Sequence, residues 1–136
     1  MTHEDELRFM QERFAVPGFV CEFNITQGLW TSRVTSHVPL REVADAITAA
    51  GVGEAVDIID RALKSAGVAR PRIAVTGLNP HAGDGGSIGM EEIEIIAPAI
   101  EQLRADEHGV GRERAARVAA TSMRWCRCTT TRARSR

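Results

Sequence analysis

The sequence predicts an α/β domain, with a mostly parallel sheet covered by helices on both faces. Two apolar, β-branched runs, "GLWTSRVTS" and "RIAVTGL", each lead through a loop into a segment of helical periodicity. The 136 residues allow one domain with a modest core, and the 43% hydrophobic content suits a soluble globular chain. Aromatic residues make up only 4% and tyrosine is absent, so Val, Ile, Leu and Ala must build that core.

The first extended segment runs from Leu29 to Ser36 and ends at His37. Pro39 suits the first turn of a helix, where its missing N–H costs nothing, and Leu40, Val43, Ala44 and Ile47 recur at helical spacing up to a Gly51–Gly53 breaker. A second helix is expected from about Glu54, with Val56, Ile59, Leu63 and Ala66 on one face and Gly67 as C-cap. Ile73 to Leu78 reads as a strand buried on both faces, followed by the loop "NPHAGDGGSIG". From about Met90 a helix resumes, with Ile93, Ile96, Ile100 and Leu103 on one face and Glu91 and Glu92 near the positive end of its dipole. Pro98 should kink it.

The net charge of −1 conceals an asymmetry. Residues 1–108 hold nine Lys/Arg against seventeen Asp/Glu, whereas residues 109–136 hold eight Arg against Glu113 alone. The chain therefore divides into a folded unit, 1–108, and an Arg-rich tail, 109–136, that loses apolar periodicity and is expected to be disordered. No aromatic or glycine pattern accompanies the arginines, which argues against a nucleic-acid partner. No apolar run approaches bilayer length, and acidic residues follow Met1, so a cytoplasmic chain without a membrane partner is the expectation. Cys21, Cys126 and Cys128 lack CxxC spacing and read as free thiols.

His37 and His81 each fall just past the carboxyl end of an expected strand, the edge where ligands collect in such sheets. Three readings of "LNPHAGDGGSIG" compete with a merely hydrogen-bonded histidine. A dinucleotide fingerprint fails on spacing, because Ile88 stands at the third glycine position. A phosphate cradle could use the backbone N–H groups of consecutive glycines. A metal site could use His81 and His37, but two ligands need a third, and His3 and His108 follow no strand.

"GLNPHAGDGG" followed by "GMEEIEIIAPAI", with "TSHVPLREVADAI" upstream, resembles the 4-hydroxythreonine-4-phosphate dehydrogenase family of vitamin B6 biosynthesis over roughly residues 6–106. The resemblance implies a partial dehydrogenase domain, a fragment of an α/β/α fold like that of isocitrate and isopropylmalate dehydrogenases. It implies NAD- or NADP-dependent oxidation, with decarboxylation, of a small phosphorylated substrate, 4-phosphooxy-threonine. It also implies a divalent metal (Zn, Mg, Mn or Co) held by three histidines and completed across a homodimer. His37 and His81 take the first two ligand places, and the metal would act as a Lewis acid on the substrate hydroxyl. Asn79, Gly83, Gly85 and Gly86 would shape the phosphate or substrate loop, and His3 corresponds weakly to a substrate-binding histidine. Sister branches acting on other phosphorylated four-carbon hydroxy acids or on cyclic diols fit equally, as does a catalytically inactive truncated product.

The family's third ligand lies in a Met-Tyr-His-Asp-Gln-Gly motif that is missing here. Yet "MRWCRCTTTRARS", residues 123–135, is compatible with it in another frame. One permitted codon set for this stretch, started one nucleotide earlier with a preceding G, reads Asp-Ala-Val-Val-Pro-Met-Tyr-His-Asp-Gln-Gly-Pro-Ile. A frameshift between about Glu107 and Thr121 would account for the arginine run, the Cys-Arg-Cys and the early end. A complete member is more than twice this length, so uncovered strand edges and helix faces should make the chain poorly soluble.

Overall fold

The computed structural model of the chain describes residues 5–105 and the backbone of the strand Cys126–Thr129. Asp5 caps the first helix, α1 (Glu6–Arg13), by accepting the Arg8 N–H at 2.7 Å, and none of the helix's residues is buried. A hairpin follows: β1 (Asn24–Thr26) pairs antiparallel with β2 (Leu29–Ser32) around Gln27 and Gly28, both in the left-handed region as a two-residue I′ turn requires. Neither α1 nor β1 was expected from periodicity, because each is short and carries no buried apolar stripe.

β2 stops at Ser32, four residues short of the expected strand. The expected helix after Pro39 is a 3₁₀ turn, Leu40–Glu42, running into one α-turn, α2 (Val43–Ala46), that ends where Ile47 goes extended. Helix α3 (Ala49–Ser65) then starts five residues earlier than expected and runs through Gly51 and Gly53. The Thr48 side chain explains this: its hydroxyl accepts the Gly51 N–H at 3.0 Å, so the supposed breaker lies in a capped first turn. At the other end Gly67 behaves as expected. Its N–H reaches Lys64 O and that of Val68 reaches Leu63 O, the paired bonds of a Schellman ending.

Val52, Val56, Ile59 and Leu63 of α3 are essentially fully buried and form the spine of the core with Ile47, Ile73, Ile96, Ala99 and Leu103. Each such aliphatic side chain stabilises the fold by roughly 1.5–3 kcal/mol. Strand β3 is only Ile73–Ala74, with Ile73 buried and Ala74 exposed, so the expected strand buried on both faces is corrected to a short alternating one. The last helical segment opens with a π-helical turn, Glu92–Ile96, and continues as α4 (Ala97–Ala105). Pro98, whose ring denies α4 a backbone donor, sits just after that irregular turn. Glu92, Ile96, Ala99 and Leu103 are buried at the spacing of one helical face, whereas Ile93, expected in the core, is 46% exposed.

The α/β class stands, but the pairing differs from a parallel ladder. The final strand, β4 (Cys126–Thr129), lies between β2 and β3 and pairs antiparallel with both, giving the order β1-β2-β4-β3. β2 and β3 therefore run in the same direction without touching as neighbours. The tail expected to be disordered contributes these four residues, and the rest of it lies outside the described residues.

Candidate functional site

Beyond β2 the chain turns out of the sheet through Arg33, whose guanidinium lies 2.8 Å from the Glu22 carboxylate and donates to Ser36 Oγ at 3.3 Å. Ser36 Oγ in turn lies 3.0 Å from His37 Nδ1, and Asp5 Oδ2 approaches the same nitrogen at 3.3 Å. The Asp5 side chain is only 12% exposed and the His37 side chain 53%, so a largely buried carboxylate and a hydroxyl hold one edge of a half-open ring. His37 itself has φ +55°, a left-handed conformation that costs a non-glycine residue roughly 1–2 kcal/mol. Asp5, Arg8, Gln11, Cys21, Arg33 and Ser36 face a cavity of about 320 Å³ beside it. In its wall, burial pushes the Cys21 thiol above its ordinary pKa, opposed by the Ser32 hydroxyl 3.2 Å away.

The second histidine stands on a stranger backbone. From His81 to Gly85 all five residues have positive φ, so Pro80–Gly86 is a left-handed turn. Three of them, His81, Ala82 and Asp84, carry side chains, at a cost on the order of 3–6 kcal/mol together. The offsetting interactions converge on Asn79, at the base of the turn. Its backbone N–H donates to Glu92 Oε1 at 2.5 Å, and its Nδ2 donates to Glu92 Oε2 at 3.0 Å and to Glu91 Oε2 at 2.7 Å. Hydrogen bonds to ionised acceptors contribute about 1.5–3 kcal/mol each, enough to match the strain. Gly83 is buried where a Cβ would come within 2.6 Å of Gly89 O and 3.1 Å of Glu92 Oε2, so packing as well as φ demands glycine there.

The strand register relates the two loops. Thr31 of β2 and Ala74 of β3 both pair with Arg127, so the two chains leave the sheet from the same row, in the same direction. His37 lies six residues beyond Thr31, and His81 seven beyond Ala74. Among the described residues, no group of three or more His, Cys, Asp and Glu forms a metal cluster. His81 is exposed. Of the expected phosphate-loop residues, Asn79 is engaged by two carboxylates, Gly83 is buried, Gly85 opens to free space, and Gly86 packs against Met90. His3 lies outside the described residues.

Sequence reasoning missed Asp5 and Glu92 as partners of these loops. From sequence Glu92 reads as a charge near the positive end of a helix dipole, whereas the structure buries it on the face shared with Ile96, Ala99 and Leu103. A carboxylate following an asparagine–proline loop carries no periodic signal of its own.

A family model described as pyridoxal phosphate biosynthetic protein PdxA matches residues 1–116. The chain belongs to the PdxA family. A relative from Pseudomonas aeruginosa is 54% identical over 110 residues, covering 81% of this chain and 32% of its own length. The 4-hydroxythreonine-4-phosphate dehydrogenase of Ralstonia nicotianae is 58% identical over 72 residues, 52% of this chain and 21% of that protein. Among solved structures, the 4-hydroxythreonine-4-phosphate dehydrogenase of Klebsiella pneumoniae superposes with a TM-score of 0.64 at 38% identity, covering 67% of this chain and 28% of that one. These PdxA neighbours establish the α/β fold, and the chain spans about a third of the length of the first of these relatives.

Proposed function

We propose that this chain is the portion of a 4-hydroxythreonine-4-phosphate dehydrogenase that carries two of its metal ligands, His37 and His81. The observation that carries the reading is the PdxA family match over residues 1–116, which includes both histidines, each of them on left-handed backbone. The donor chemistry fits a divalent cation in part. With Asp5 and Ser36 on its Nδ1, His37 has Nε2 to offer, the arrangement in which a carboxylate orients a metal-binding imidazole. A third ligand must come from outside the described residues.

A bound divalent ion, Zn, Mg, Mn or Co, would supply Lewis-acid stabilisation to an alkoxide on the substrate, and NAD or NADP would accept the hydride. The residues of this chain orient and hold. Asp5 and Ser36 set the His37 ring, the Asn79–Gly86 turn presents His81, and Gly85, open to free space, leaves room for the phosphorylated substrate to approach the backbone. A homodimer in the cytoplasm completes the reading.

Zinc titration of the purified chain tests it, read by calorimetry. His37→Ala and His81→Ala should each weaken binding at least tenfold. Equal affinity in both variants and the parent overturns the assignment. A second reading, an inactive product, draws on the lack of a third metal-ligating group among the described residues. It predicts weak zinc binding and no oxidation of 4-hydroxythreonine phosphate with either nicotinamide cofactor.

A further inference from the structure

Four features of the Asn79–Ile96 segment have no use in a plain loop followed by a helix. The backbone is left-handed for five successive residues. The helix that follows opens with a π turn, a rare form that is frequently found at functional sites. That turn buries a carboxylate, Glu92, at 7% exposure, while its apolar neighbour Ile93 is 46% exposed. Finally, both oxygens of that carboxylate are placed against positions lacking a side chain: a Cβ on Gly77 would come within 3.1 Å of Oε1, and one on Gly83 within 3.1 Å of Oε2.

We propose that Glu92 is a positioning residue that clamps the left-handed turn through Asn79 and thereby fixes where His81 projects. One carboxylate oxygen takes the Asn79 backbone N–H and the other takes the Asn79 side-chain amide. Asn79 is thus held at both its main chain and its side chain, immediately before Pro80 starts the turn. The turn is also bonded to its flanks, by Ala82 N–H to Asn79 O and Ile88 N–H to Gly83 O at 3.2 Å and by Ser87 N–H to Asp84 O at 3.4 Å, but none of these bonds engages the Asn79 N–H or its side chain. Glu91 adds a second carboxylate on the same amide, at 2.7 Å, but reaches only the side chain. Glu92 alone bridges to the main chain. The consequence for metal binding rests on the ligand role proposed above for His81; the clamp itself does not.

Two measurements on the full chain separate these. Amide hydrogen exchange at Asn79, Ala82 and Ile88 reads the turn, with Val56, Ile59 and Leu63 of α3 as internal reference. Glu92→Ala should accelerate exchange in the turn about tenfold or more and leave α3 unchanged, because the lost bonds are local. Glu92→Gln keeps an acceptor for the Asn79 N–H and should restore most of the protection. Unchanged exchange in the turn, or equal loss in the turn and in α3 for both variants, overturns the clamp. Calorimetry with zinc alone reads His81. Glu92→Ala should bind about tenfold more weakly than the parent, with Glu92→Gln closer to it. If the turn loosens yet zinc affinity is that of the parent while His81→Ala abolishes binding, the positioning role is overturned. If His81→Ala binds zinc like the parent, the metal reading falls, and the exchange experiment still decides the clamp.

Discussion

The sequence places His37 and His81 just past two strands, but the strands end earlier, at Ser32 and Ala74, and the left-handed backbones of both histidines were not legible. Positive φ at a histidine leaves no mark in periodicity, and what stabilises it is supplied by residues distant in sequence, Asp5 for one and Glu92 for the other. The strain is testable at single positions of opposite sign. Asp84 is exposed with φ +46°, so Asp84→Gly relieves an unfavourable conformation and should stabilise the chain by about 0.5–1 kcal/mol in urea unfolding. Gly83→Ala places a methyl against Gly89 O and Glu92 and should cost about 2–4 kcal/mol in the same measurement. Cys21 adds a pH dependence. Burial raises its thiol pKa in the folded state, so the folded chain holds that proton more tightly than the unfolded one. The resulting stabilisation is complete below the ordinary thiol pKa and is lost as pH rises through the raised value. Unfolding midpoints measured from about pH 8 to pH 11 should fall in the parent, and Cys21→Ala should flatten the part of that fall due to the thiol.

Among the elements, α3 was the most legible, because Val56, Ile59 and Leu63 repeat at helical spacing and are buried as that spacing demands. Its start lies before Gly51 and Gly53 because the capping hydroxyl of Thr48 and the burial of Val52, Ala55 and Val56 in the first turns together offset the low propensity of two glycines. The two glycines are distinguishable by substitution. A Cβ on Gly53 meets nothing within 4 Å, so Gly53→Ala should raise stability by about 1 kcal/mol, read from the thermal midpoint. On Gly51 it would press on Thr48 Oγ1 at 3.2 Å and Val34 Cγ1 at 3.3 Å, so Gly51→Ala should gain less or lose. Thr48→Ala should cost about 1 kcal/mol by removing the cap. Less legible was the segment after Met90, since the apolar spacing of Ile93, Ile96 and Ile100 describes an α-helix as well as it describes the helix actually formed. Glu92 rather than Ile93 takes the face shared with Ile96, Ala99 and Leu103, where its carboxylate meets the Asn79 N–H, and an apolar pattern carries no sign of a buried carboxylate.

At the scale of the molecule, the described fold leaves several large apolar side chains uncovered: Phe9 and Phe14 in and after α1, Ile25 in β1, Leu40, and Ile88, Met90 and Ile93 around the left-handed turn. Their exposure agrees with a chain that spans 32% of the length of its Pseudomonas aeruginosa relative. The family match ends at residue 116, before the stretch "MRWCRCTTTRARS" in which a shifted frame permits Met-Tyr-His-Asp-Gln-Gly. On the metal-site reading proposed above, a histidine in that motif would supply the third ligand beside His37 and His81. We infer that the gene carries a one-nucleotide shift between the codons for about Glu107 and Thr121. Its nucleotide sequence should then encode the motif in the alternative frame across residues 123–135. A frame-restored protein should bind zinc at least tenfold more tightly than the present chain, because a third ligand closes the coordination sphere that two leave open. Codons across that stretch incompatible with the motif, in one intact frame through the transcript, would remove the inference. Matching zinc affinities in the two proteins would remove the three-histidine site with it.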